Sequence, residues 1–261
     1  MLLSLDAYSP AALLLLAGSG FVAGLARGFS GFGAALIFVP IASAIASPQV
    51  AAPLLLVIDG IGSLGMVPAA WIRADKRDVG VMALGALVGI PLGTWLLTRS
   101  DPIAVRWSIA ALILALLALL MSGWRYRGRP AAPLTVGVGG VAGLFSGAAQ
   151  VGGPPVVAYW LGGSIPAETV RANIVLYFLV SSCLTAASYW AGGLLTAAIL
   201  ALAVLIGPAY AVGIYLGSRL FGLAPEPLFR RVCYGLIAGA ALLSLPVLDG
   251  LRQQIISLAH P

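Results

Sequence analysis

Charge is what this chain has least of: Asp, Glu, Lys and Arg make up 8% of its residues, against about 25% in an ordinary soluble domain. Histidine is scarcer still, with His260 alone. A single histidine rules out a zinc-binding HExxH pair. It also leaves no base inside the apolar segments for a serine nucleophile, although Gly28-Phe29-Ser30-Gly31 has the GxSG spacing of intramembrane serine proteases. An intramembrane hydrolase is therefore the weakest functional reading, and no enzyme activity is expected. There is no P-loop for ATP-driven chemistry by this chain and no pair of aspartates in a GxGD context. Cys183 and Cys233 stand far apart in apolar stretches without a CxxC, so neither a metal nor another cofactor is expected. The basic residues form no solvated patch, which excludes nucleic acid as a partner.

Apolar residues fill the space that charge leaves. They are 61% of the chain, and the mean hydropathy is +1.07, so the sequence reads as an all-α polytopic membrane protein whose surroundings are a lipid bilayer. Apolar segments cover residues 11–46, 50–72, 79–98, 103–123, 134–163, 168–190, 194–218 and 232–248. Six have the length of one span of about 20 residues. As one helix, segment 11–46 would run about 54 Å against a hydrocarbon core of about 30 Å. It holds the cluster Gly28-Phe29-Ser30-Gly31-Phe32-Gly33, and segment 134–163 holds Gly147 and Gly152-Gly153-Pro154-Pro155. Glycine and proline break helices through backbone entropy and a missing amide proton. Each long segment is thus expected to be a re-entrant hairpin of two short helices meeting near mid-membrane, enclosed by protein.

The two long segments match. Gly20, Gly24, Gly28 and Gly33 recur 119 positions later as Gly139, Gly143, Gly147 and Gly152, and Trp71 recurs as Trp190. The sequence predicts two repeats, 1–130 and 131–261, each a glycine-broken hairpin plus three spanning helices. With the hairpins, each repeat crosses the membrane an odd number of times and the second is inverted. One face then collects ten basic residues, among them Arg73, Lys76, Arg77 and Arg171, and the other three, Arg99, Arg106 and Arg252. The positive-inside rule makes the first face cytoplasmic and puts both termini outside the bacterial inner membrane. MLLSLDAYSP, with Asp6 and no Lys or Arg, lacks the basic start of a signal peptide and reads as mature sequence. Trp71 and Trp190 read as interfacial anchors.

Repeats with breaks at matching positions point to a secondary transporter with its site between them. A helix that resumes inside the membrane offers unpaired amides and the positive end of its dipole. Two such ends, from about Ala34 and Pro154, suit an anion. Ser30, Gly31, Gly33, Ser146, Gln150, Gly152 and Gly153 are the candidate ligands at the breaks, while the small-xxx-small ladders elsewhere read as helix-packing faces. Arg27 stands beside the first break as an anion ligand or a structural partner of Asp59. Asp59 is alternatively a proton carrier for coupled transport. Arg171 and Asn173, at the start of the sixth segment, are either further ligands or helix-start residues. An anion channel shares these features and stays open as a rival, and a homodimer is an open assembly.

ARGFSGFGAALIFVP at 26–40, GLFSGAAQVGGPPVVAYW at 143–160 and ETVRANIVLYF at 168–178 resemble the TauE/SafE family of permeases, the sulfite exporter or toluene sulfonate uptake family. The resemblance extends from about Ala11 to Leu248 and includes the duplication. It implies ATP-independent transport of small organosulfur or related anions such as sulfite, sulfoacetate or other sulfonates. Many members carry a longer glycine run at the first break than Gly31-Phe32-Gly33, which leaves Phe29 and Phe32 to shape the pocket, gate it or pack in the core.

Overall fold

The computed structural model describes residues 8–30, 33–124, 126, 131–161, 166–220 and 226–249. Helices follow one another as α1 (Pro10–Ser30), α2 (Ala34–Ile45), α3 (Pro48–Ser63), α4 (Val67–Arg73), α5 (Lys76–Arg99), α6 (Pro102–Ser122), α7 (Ala132–Ala149), α8 (Gly153–Trp160), α9 (Ala167–Ala191), α10 (Ala197–Leu220) and α11 (Glu226–Leu243). Six of them, α1, α5, α6, α7, α9 and α10, are long and apolar enough to cross a bilayer. Helices satisfy their backbone internally, which is what lipid requires. Local chemistry sets their ends. Pro48 and Pro102 occupy first-turn positions, where a missing amide proton costs nothing. The Asp75 carboxylate accepts from the Arg77 and Asp78 amides at the start of α5, and Gly123 closes α6 in the left-handed region at φ 64°.

Two expectations need correction. Residues 50–72 are not one straight span, because α3 and α4 are joined by a tight turn at Leu64–Met66 and bend by 77°. Gly60, Gly62, Gly65 and Pro68 fall within this stretch and weaken helical continuity. Nor are both arms of each broken segment short. The arms before the breaks have 21 and 18 residues, and those after have 12 and 8. Past its opening proline, each first arm contains no further proline until the break, so it remains helical until the glycine cluster.

Close backbone packing joins the halves. α1 lies along α10 and runs parallel to it: Gly20, Gly24 and Gly28 face Ile206, Tyr210 and Ile214 in order, while Gly213 and Gly217 face Phe21 and Leu25. α5 and α7 pair in the same way. Gly85, Gly89 and Gly93 face Val136, Gly140 and Leu144, and Gly139, Gly143 and Gly147 face Met82, Ala86 and Ile90. At most of these positions an added Cβ would overlap a carbonyl oxygen of the facing helix. The short arms fold back: α2 brings Phe38 to Gly20, and α8 brings the Tyr159 hydroxyl to 2.6 Å from that of Thr135 at the start of α7.

α3 also runs with α10, placing Ile58 at Gly207 and Gly62 at Ile214. α9 runs with α5, tied by the Asp75 amide to Asn173 Oδ1 at 2.7 Å and by the Ser188 hydroxyl to Thr94 at 2.8 Å. The start of α3 meets the end of α5, where Gln49 Nε2 donates to the Leu97 carbonyl. So α1, α3 and α10 point one way, and α5, α7 and α9 the other. The larger core surrounds α2 and α3, and a second surrounds Trp160 and Tyr177 between α5, α8 and α9.

Gly89→Ala should destabilise the protein by about 1–3 kcal/mol or more, the cost of overpacking a close contact, because its Cβ would overlap the Gly140 carbonyl. Gly80→Ala in the same helix meets nothing within 4 Å and should be neutral or stabilise by up to about 1 kcal/mol. Thermal unfolding in detergent reads both, and equal melting temperatures would contradict the packing described.

Candidate functional site

Both helix breaks open onto one cavity of about 70 Å³, room for a few water molecules at ~10–15 Å³ each or for one small oxyanion. The 119-residue offset maps Arg27 onto Ser146, Gly33 onto Gly152 and Asp59 onto Phe178, and all six line this cavity. The positions are therefore paired while the chemistry is not. The first half supplies an ion pair where the second supplies a hydroxyl and an aromatic ring.

Arg27 projects from the last turn of α1 and is 9% exposed. Its Nε donates to Asp59 Oδ1 at 3.0 Å, and the Tyr210 hydroxyl donates to the same oxygen at 2.6 Å. The guanidinium also lies over the Phe178 ring, 5.9 Å from its centroid, a geometry in which the ring quadrupole attracts a cation. Four helices, α1, α3, α9 and α10, thus meet at one cation. Asp59, 29% exposed, is the more accessible partner.

The resuming helices contribute unequally. Gly33 precedes α2 with φ 97°, a conformation natural to glycine, no side chain caps the helix, and its first two residues, Ala34 and Ala35, line the cavity. α8 also lacks a side-chain cap, but its second and third residues are Pro154 and Pro155. These have no N–H, so only Gly153 brings an amide to its first three positions. The helix dipole remains at both ends. Between the breaks, Gln150 adopts φ 60°, an uncommon state for a side-chain-bearing residue and typical of sites where strain is held by the surroundings. Its Nε2 donates to the Ser146 carbonyl at 3.2 Å. Gly152 is required: a Cβ there would overlap Ser146 Oγ and the Ala142 carbonyl.

Of the residues singled out in the sequence, Arg27, Gly33, Asp59, Ser146, Gln150, Gly152 and Gly153 line the cavity together. Gly31 lies outside the described residues. So does the side chain of Ser30, whose backbone ends α1. Arg171, the fifth residue of α9, is exposed and is not among the residues lining the cavity. Asn173 is fully buried and bonded to Asp75, about 12 Å along the helix axis from the cavity-lining Ser181. Sequence reasoning missed Phe178, Ser181, Ser182 and Tyr210. The two serines and the tyrosine are polar groups in mid-span, a signal in itself; Phe178 carries none apart from its position in the repeat. Among the described residues no group of three or more His, Cys, Asp and Glu stands close enough to hold a metal.

Removing either member of the Arg27–Asp59 pair leaves the other charge poorly compensated. Arg27→Gln and Asp59→Asn should each destabilise by about 3 kcal/mol, the low end for a buried pair because Asp59 is partly open. The double variant should lose less than the sum, and strict additivity in detergent melts would show that the pair is not coupled.

No solved structure matches this chain. A protein of Cupriavidus necator described as "Probable sulfite/organosulfonate exporter TauE" is 29% identical over 234 residues, which cover 84% of this chain and 89% of that relative. The sequence model of the family described as Sulfite exporter TauE/SafE matches residues 16–244. With apolar helices long enough to cross a membrane several times and a family match over most of its length, the chain belongs to the TauE/SafE sulfite exporter family, whose members are transporters and not enzymes.

Proposed function

We propose that this protein is a secondary transporter of small organosulfur anions, sulfite or sulfonates such as sulfoacetate, that binds its substrate in the central cavity between the two helix breaks. The observation that carries this reading is the meeting of Arg27 with both uncapped helix starts around one cavity of oxyanion size. Paired positive dipole ends and a guanidinium suit an anion stripped of part of its water. The relative described as a sulfite/organosulfonate exporter supports the substrate class and export as the direction.

The halves act as inverted repeats in the bacterial inner membrane. The parallel runs of α1 with α3 and of α7 with α9 support this, since parallel neighbours in the chain require α2 and α8 to return. α5 joins the second set, antiparallel to the first. The α4–α5 turn then shares a face with the starts of α7 and α9 and the end of α10, which gathers Arg73, Lys76, Arg77, Arg171 and Arg219 on the cytoplasmic side.

Asp59 makes the site a carrier rather than a fixed cationic pore. While Asp59 is ionised it neutralises Arg27, and an arriving anion meets no net charge. When Asp59 takes a proton, the guanidinium is released to the substrate, so anion and proton are bound together. For a monovalent anion such as methanesulfonate, movement of the two is electroneutral, and the substrate and pH gradients, not the membrane potential, set its direction.

Methanesulfonate, whose charge does not titrate near neutral pH, is the direct test. At about 100 times its dissociation constant it should stabilise the protein by about 2.7 kcal/mol, and it should bind more tightly as pH falls. Asp59→Asn should bind it with little pH dependence and lose accumulation driven by a pH gradient, while Arg27→Lys should weaken binding because an ammonium lacks the planar fork. Normal binding by Arg27→Ala at unchanged expression would refute the site. A C-terminal alkaline phosphatase fusion should be active, and an inactive one beside a fluorescent C-terminal green fluorescent protein fusion would refute the inverted arrangement.

A further inference from the structure

Away from the cavity, the core between α5, α8 and α9 contains three buried polar groups that hydrogen-bond to nothing: Trp160 Nε1, Asn173 Nδ2 and the Tyr177 hydroxyl. All three residues are fully buried. Each group has a proton to give. An indole is only a donor, and the Asn173 carbonyl end is already taken by the Asp75 amide at 2.7 Å, which leaves its NH₂ end open. Buried polar groups are almost always paired in folded proteins, so three unpaired donors in one apolar cluster call for a cause.

Their placement supplies one. Asn173, Tyr177 and Ser181 are spaced by four residues on α9 and share one face. Ser181 lines the central cavity, one turn along α9 from Tyr177. From Tyr177 the line continues to Trp160, whose ring stands edge-on at 6.1 Å, and to Asn173 at the α4–α5 turn, beside Arg73, Lys76 and Arg77. On its other side Tyr177 is 6.0 Å from Phe178, the ring beneath Arg27. A row of proton donors therefore runs from the anion cavity to the basic face.

We infer that Trp160, Asn173 and Tyr177 form a second anion station, which receives the small oxyanion between the central cavity and the face carrying Arg73, Lys76 and Arg77 when that side opens. This rests on the reading of the protein as an oxyanion transporter. Neutral donors suit a transit point, because they replace part of the anion's hydration without the grip of a fixed charge, and binding must remain weak enough for release.

Tyr177→Phe and Trp160→Phe remove the donors and keep the rings. In proteoliposomes each should lower the maximal rate of methanesulfonate transport at least tenfold, while its dissociation constant at the central site, from thermal shift, stays within twofold of the parent. Melting temperature should be unchanged or raised, because a buried unpaired polar group has been deleted. Transport within twofold of the parent in both variants would overturn the station. So would a fall in melting temperature that accompanies the lost rate, which would mean the groups hold a structural water. Failure of the parent protein to bind or carry methanesulfonate or sulfite would instead defeat the transporter reading and this inference with it. A parent that transports, with variants that do so equally well, defeats this inference alone.

Discussion

A helix that stops inside a bilayer leaves amide and carbonyl groups that lipid cannot satisfy, and the protein must enclose them. Two helices of this chain resume inside the apolar interior, at Ala34 and Gly153, and much of the architecture serves to surround them. Enclosure requires neighbours to approach at backbone distance. Gly24 and Gly28 on α1, Gly213 and Gly217 on α10, Gly85, Gly89 and Gly93 on α5, and Gly139, Gly143 and Gly147 on α7 permit this, because each faces the backbone of its partner helix with no room for a Cβ. The short return arms then seat themselves against the long ones, with Phe38 at Gly20 and Tyr159 at Thr135. What remains between the breaks is a small polar cavity, walled by protein and lined with helix starts.

Positions 119 residues apart give the cavity two matching sides, and their chemistry differs. The Arg27 and Asp59 positions of the first half are Ser146 and Phe178 in the second. Two copies of the ion pair would crowd four charges into a space of about 70 Å³, where desolvation is costly. One pair, steadied by the Tyr210 hydroxyl and the Phe178 ring, keeps a single cation at the site with its counter-charge within reach. In the proposed mechanism the pair holds the site neutral when empty, and a proton on Asp59 frees the cation when the anion arrives. In our account anion binding and protonation are consequently linked by the geometry of one hydrogen-bonded carboxylate.

The breaks were readable from residue order alone because their cause is local. The clusters at 28–33 and 147–155 contain the residues that interrupt helices, and the helices resume within one residue of the expected points. The Arg27–Asp59 pair was readable as well, since opposite charges in two apolar segments have few other ways to be satisfied. The bend between α3 and α4 was obscured by the continuous hydropathy of residues 50–72, which conceals the effect of Gly60, Gly62 and Gly65. Tyr210 and Phe178 reach the cavity only through the packing of α9 and α10 against distant helices, and no spacing within either segment encodes that. Arg171 had the composition of a ligand, but its place near the start of α9 leaves it exposed.

The central claim is that one anion site lies between the two breaks and is reached from both faces in turn. Ser146→Cys, with Cys183 and Cys233 replaced by alanine, places a single thiol at that site. In oriented proteoliposomes its reaction with a membrane-impermeant, sulfonate-bearing thiol reagent, applied from each side, is the most direct measurement. The account predicts labelling from either face and protection from both by methanesulfonate. A thiol that reacts from neither face, or at a rate methanesulfonate does not change, would contradict it.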